Sequence, residues 1–162
     1  MMGLLQKLSL GAKNRTTYRA GLLQAKAYRI LKQETAKILK PFDITTFEWG
    51  FLGLLADHEA IRPKHLAEEL GVEAPFVTQI LQRLKKKGLV AETRDPKDTR
   101  AKTLSLTAKG ETFISKIEPV VRSGVKPLLE GAGMSELLGY LAVLETIIRN
   151  GTEKTQTERV GI

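Results

Sequence analysis

The 162-residue chain contains no cysteine, which excludes disulfides, thiolate metal ligands and a thiol redox switch together. No uninterrupted apolar run approaches the roughly 20 residues that a membrane-spanning helix needs. The opening MMGLLQKLSLGAKNR has a short apolar patch beside basic residues but no proper apolar core or cleavage site, so a cytoplasmic protein is expected rather than an exported one. Histidine occurs only at His58 and His65. No phosphate-cradling glycine loop is present, and no nucleophile has an evident base partner, so an enzyme is not expected. His58, His65, Glu59 and Glu69 straddle a loop without compact ligand spacing, and neither a metal nor another cofactor is expected. There is no internal repeat and no low-complexity segment.

Positive charge is present in excess and unevenly spread. The net value is +4 from Met1 to Ile61, +5 from Arg62 to Lys109 and −1 from Gly110 to Ile162, which accounts for the +8 of the whole chain. A polyanion-binding surface needs such a concentration in the first two thirds, although a merely soluble basic protein also satisfies it. The length suits a single domain over residues 1–162.

Periodicity divides the chain into helices around a small β element. From Lys13 to Lys40, Leu22, Leu23, Ala27, Ile30, Leu31, Ile38 and Leu39 recur at helical spacing until Pro41 stops the run. Thr45 and Glu48 have capping-box spacing ahead of a second helix that ends near His58. LVAET and KTLSL alternate apolar and polar residues, as antiparallel strands do, and Asp95-Pro96 marks a turn between them. The outcome is a hairpin with a charged tip. Thr107 then caps a helical region through Phe113, Ile114, Ile117, Val120 and Val121, which Pro119 and Pro127 are expected to kink. Gly131 and Gly133 break it, Ser135 precedes a last amphipathic helix, and the polar tail from Gly151 is expected to fray.

Between the second helix and the hairpin, PKHLAEELGVEAPFVTQILQRLKKKG carries a helix-turn-helix pattern. Pro63 suits a first helical turn, Leu66 and Leu70 face inward, Ala67 is small where a second helix must cross, and Gly71 permits the turn. Val77, Ile80, Leu81 and Leu84 form an apolar stripe on the next helix, closed by Gly88, with Lys85, Lys86 and Lys87 at its negative end. The opposite face carries Pro75, Thr78, Gln79, Gln82 and Lys86. Short polar side chains there suit base edges in a major groove, Gln pairing with adenine, although an ordinary solvated face has the same composition.

The order helix, helix, LAEELGV, VTQILQRL, KKGLV and RDPKDTRAKTLSLTAKG resembles the MarR family of winged helix-turn-helix transcriptional regulators over roughly residues 15–150. Asp98, Thr99 and Arg100 running into LSLTAKG match the family's wing signature. The resemblance implies a mainly α fold with a small β-hairpin wing, residues 43–110 forming the DNA-binding module and 13–40 with 111–150 the dimerisation helices. It implies a homodimer that binds a pseudo-palindromic double-stranded operator, with repression the commoner mode. The hairpin then becomes the wing: Arg100 enters an A·T-rich minor groove, Asp98 orients it, Arg94, Lys97 and Lys102 meet phosphates, as does Lys86 on the helix, and Arg83 is counted among the DNA-binding residues.

Glu73 and Ala74 stand where relatives often have Ser and a polar or basic residue, Gln79 replaces a common Arg, and Phe76 is unusually bulky. A winged-helix module used for protein contacts is the alternative function. Without cysteine, release by a small aromatic effector is expected rather than by oxidation. In this family ligands commonly lodge between dimer helices and winged module, which points to Tyr18, Arg19, Tyr28, Phe47, Trp49 and Phe51.

Overall fold

The computed structural model describes residues 16–58, 60–94 and 101–160, with side chains from Tyr18 to Glu153. Its elements are α1 (Thr16–Leu39), α2 (Thr46–Asp57), α3 (Pro63–Leu70), α4 (Ala74–Lys86), β1 (Val90–Arg94), β2 (Lys102–Leu106), α5 (Ala108–Val125) and α6 (Met134–Val160). Single 3-10 turns, Lys40–Phe42 and Lys126–Leu129, follow α1 and α5. The fold is mainly helical with one antiparallel hairpin. Two compact units divide at Val125 and Lys126 and are described separately.

In the first unit, α1 ends where Pro41 enters a 3-10 turn, and Asp43 reverses the chain in the left-handed region at φ 55°. Aspartate tolerates that conformation better than most residues. The expected capping box then starts α2: Thr45 Oγ1 accepts from Glu48 N at 3.1 Å, and Thr45 N donates to Glu48 Oε2 at 2.7 Å. Pro63 opens α3 without forfeiting an internal hydrogen bond, and Gly71 closes it at φ 63°. Val72 N donates to Ala67 O at 3.0 Å, so the turn into α4 is hydrogen-bonded as well as short.

Burial of Val77, Ile80, Leu81 and Leu84 turns α4 onto a core with Phe51, Leu52, Leu55, Ile61, Leu66, Ala67, Leu89, Val90, Leu104 and Ile114. A smaller cluster, Leu39, Ile44, Ile117 and Val121, packs the end of α1 against α5. The hairpin pairs Val90 with Leu106 and Arg94 with Lys102. Ile61 adds a bridge to Leu104, exchanging both backbone hydrogen bonds at 2.8 and 3.0 Å. This third element is one residue long, too short for the period-two pattern that betrays a strand in sequence.

Thr107 caps α5 as expected, its Oγ1 accepting from Gly110 N at 3.0 Å while donating to Gly88 O at 2.7 Å. Gly110 is required by proximity: a Cβ there would lie 2.1 Å from the Leu89 carbonyl oxygen. Helix α5 runs through Pro119 to Val125, and Pro127 falls in the 3-10 turn after it. Proline removes one ladder bond, but Ile114, Ile117 and Val121 are buried on both sides of Pro119 and hold the helix.

The second unit holds α6. The expectation of a frayed tail from Gly151 is corrected, since the helix continues to Val160. Helical backbone hydrogen bonding there does not require an apolar face, and Thr152 Oγ1 adds a bond to Ile148 O at 2.9 Å. Met134, Leu138, Leu141, Val143, Ile147 and Ile148 of α6 are exposed. Among the described residues, no single helix is long and apolar enough to cross a membrane.

Candidate nucleic-acid interface

Helix α4 separates its residues cleanly. Pro75, Thr78, Gln79, Gln82 and Lys86 are all exposed on the side opposite the buried stripe. Thr78 Oγ1 donates to Ala74 O at 3.1 Å, which leaves its lone pairs outward. Phe76 meets Phe47 edge-on at 5.1 Å between centroids, so its bulk is spent on packing against α2 and not on the exposed polar face.

The basic residues next to this face differ in what they touch. Lys86 has no ion-pair partner among the described residues, and Arg94, exposed at the end of β1, has none either. Lys102 lies 2.8 Å from Glu92, and Lys85 approaches the same carboxylate at 3.8 Å. The hydrogen bond from Lys102 is the main cause that holds the Glu92 carboxyl below its ordinary range, against the opposing effect of burial. Phosphate binding by Lys102 must therefore compete with Glu92. Arg83 brings Nε to 3.1 Å from Oε1 of Glu48 while 56% of its side chain remains exposed. The lysines at the helix end are not equivalent, because Lys87 turns inward to Asp43. Lys97, Asp98 and Arg100 of the expected wing tip, and the Asp95-Pro96 turn, lie outside the described residues.

Of the six residues expected at an effector site, two come together. Tyr28 and Phe47 line a pocket of about 260 Å³ with Leu31, Lys32, Thr35, Thr46, Gly50 and Leu70. The Lys32 ammonium sits 5.7 Å from the centre of the Tyr28 ring. Tyr18 and Arg19 are exposed more than two helical turns earlier on α1. Trp49 is half-buried against both apolar clusters, and its indole N–H has no acceptor among the described residues. Phe51 requires correction: it is 0% exposed, because its face of α2 also carries Leu52 and Leu55 into the core, and it is not among the residues that line this pocket. Thr35, Thr46 and Gly50 were missed. Their small size gives no pattern in sequence, and only the crossing of α1 over α2 makes them a lining.

Comparison with known proteins agrees with this arrangement. Residues 42–101 match the model of the MarR family. Among solved structures, the transcriptional regulator BldR from Sulfolobus solfataricus is 26% identical, with 83% of this chain and 98% of that one covered at a TM-score of 0.75. NadR in complex with 4-hydroxyphenylacetate is 28% identical, with 85% and 96% covered and a TM-score of 0.71. A MarR variant from E. coli, complexed with operator DNA, shares the fold at 22% identity, covering 84% and 98% with a TM-score of 0.72. The buried stripe of α4, its exposed polar face and the first strand of the hairpin lie within the matched segment, and over that segment the chain matches the MarR family while its fold is similar to that of winged-helix transcriptional regulators.

Proposed function

We propose that the chain is a sequence-specific, double-stranded DNA-binding repressor that acts as a homodimer. The observation that carries this reading is the exposed polar face of α4, held by a buried apolar stripe and followed directly by a charged hairpin. Thr78, Gln79 and Gln82, beside Pro75, read base edges in a major groove; Arg83, Lys86 and Arg94 meet phosphates. Lys102 joins them when it leaves Glu92, with Lys97 and the Asp98–Arg100 pair acting from the wing. Residues 43–110 form the module that meets DNA, and the helices of 13–40 and 111–150 pair the protomers. Exposed Leu22, Leu23, Tyr28 and Ile30 on α1, with Leu138, Leu141, Ile147 and Ile148 on α6, support the dimer, since such surface is ordinarily covered.

The pocket at Tyr28 and Phe47 supports release by an effector of one aromatic ring. Its lining is mostly apolar with Lys32 at hand, a combination that favours an aryl carboxylate. NadR was solved with 4-hydroxyphenylacetate, a molecule of that class.

Selection of bound sequences from a random duplex library tests the central reading. The expected product is a pseudo-palindrome with half-site centres about 10 base pairs apart, or a multiple of that turn. Recovery of no enriched motif sinks specific binding and favours a winged-helix module that contacts proteins instead.

A further inference from the structure

Glu48 is the most deeply buried charged residue of the described chain, 1% exposed at the start of α2. Its two oxygens have different partners. Oε2 accepts from the Thr45 backbone N–H at 2.7 Å and so belongs to the helix cap. Oε1 has no donor aligned on it for a hydrogen bond, and its charge is met by Arg83 Nε at 3.1 Å. A capping glutamate ordinarily sits at the surface, where water serves its second oxygen; this one is buried and relies on a cation from another helix.

Arg83 lies on the border of α4. Counting 100° per residue, it stands about 80° round from Pro75, next to Gln79 and Lys86 and outside the buried stripe. The guanidinium approaches Glu48 through Nε, yet more than half of the side chain remains in solvent. Arginine has five N–H donors, and an ion pair made on the Nε side leaves the four on the terminal nitrogens for another acceptor. Those two nitrogens form the planar fork that suits a phosphate.

We propose that Glu48 is a positioning residue for DNA binding: from its buried site it holds Arg83 by Nε, so that the terminal nitrogens are set at the edge of the reading face for a backbone phosphate. The inference rests on the DNA-binding reading above and extends it to a residue that never touches DNA. The carboxylate carries the same sign as phosphate, so through space alone it opposes binding. Its benefit is orientation, which removes part of the rotamer entropy that a free arginine loses on contact.

That opposition of signs makes the test decisive. Glu48→Gln keeps an oxygen for the Thr45 cap and removes the charge that holds Arg83. Equilibrium binding of the full-length protein to its selected operator and to a random duplex is measured for the parent, Glu48→Gln, Arg83→Ala, Arg83→Lys and the Glu48→Gln/Arg83→Ala double variant, with melting temperatures beside them. Glu48→Gln is expected to weaken binding on the order of tenfold, by a similar factor on both duplexes, even though it removes a negative charge. In the Arg83→Ala background it is expected to have no further effect. Arg83→Ala is expected to lower the slope of log affinity against log salt by about one per module. Arg83→Lys keeps the charge but not the fork, so it is expected to bind nearly as weakly as Arg83→Ala, and being half-exposed it bypasses any folding defect of Glu48→Gln. Tighter or unchanged binding by Glu48→Gln overturns the proposal, as does an equal loss with and without Arg83, or parent-like binding by Arg83→Lys. If the parent itself binds neither duplex, the DNA-binding reading falls first and is identified as the failure by that measurement alone.

Discussion

Lys87, the residue that follows α4, holds Asp43 from the junction of α1 and α2: its Nζ lies 3.0 Å from Asp43 Oδ2 and also donates to the Asp43 carbonyl. The Lys87 carbonyl in turn accepts from Lys109 Nζ of α5 at 2.7 Å. The end of α4 is thereby tied to the turn before α2 and to the first turn of α5.

The Asp43 carboxyl titrates below the ordinary aspartate range, chiefly through the hydrogen bond from Lys87 and then through its charge. Because the folded pKa is depressed, this pair contributes stability above the unfolded pKa and loses it as pH falls through the folded one. Side-chain carboxyl NMR is expected to show Asp43 returning to the ordinary range in Lys87→Ala. An unchanged titration would show that Lys87 is not the cause.

Gly110→Ala is expected to destabilise the fold by about 1–3 kcal/mol or more, as overpacking does. The neighbour is a backbone carbonyl, Leu89 O, 2.1 Å from the added carbon, and it cannot swing aside as a flexible side chain would. Chemical denaturation measures the loss. Gly21→Ala, where nothing lies within 4 Å, serves as the control and is expected to be neutral or mildly stabilising.

Gln79→Ala and Lys86→Ala are expected to differ in kind. Loss of a base contact at Gln79 relaxes preference at one operator position and costs about 1–3 kcal/mol on the cognate site. Loss of Lys86 weakens all sequences alike and flattens the salt dependence. Repeating the library selection with each variant separates them, and an unaltered motif from Gln79→Ala would place the reading face elsewhere.

Ile148→Lys, which puts a charge on the exposed apolar face of α6, is expected to halve the mass measured by light scattering while leaving the helical circular dichroism of the chain in place. A dimer of unchanged mass would remove that position of α6 from the proposed interface.

Addition of 4-hydroxyphenylacetate as a probe is expected to lower operator affinity and change Trp49 fluorescence at the same concentrations. A tenfold release requires about 1.4 kcal/mol of coupling between the two sites. Lys32→Gln is expected to shift both curves to higher probe concentration. Response of neither signal to this probe and to a wider set of aryl carboxylates would leave the pocket without an effector role.

The elements of the winged module were readable because each has a local cause. Thr45 and Glu48 cap, Pro63 starts a helix, Gly71 ends it, and the spacing of Val77, Ile80, Leu81 and Leu84 allows only one face of α4 to be buried. The exposed reading face followed as the remainder of that helix. Partnerships between side chains far apart in sequence had no such signal. Glu48 was legible as a cap, but its second oxygen meets Arg83 only because α2 and α4 cross, and Lys87 turns from its two neighbouring lysines only because Asp43 comes within reach. Phe51 and Phe47, four residues apart on α2, looked equally suited to a ligand, yet packing buried the first and left the second on a pocket. Caps and periodicity are set by neighbours along the chain; which charge meets which, and which aromatic faces a cavity, is set by where helices cross in space.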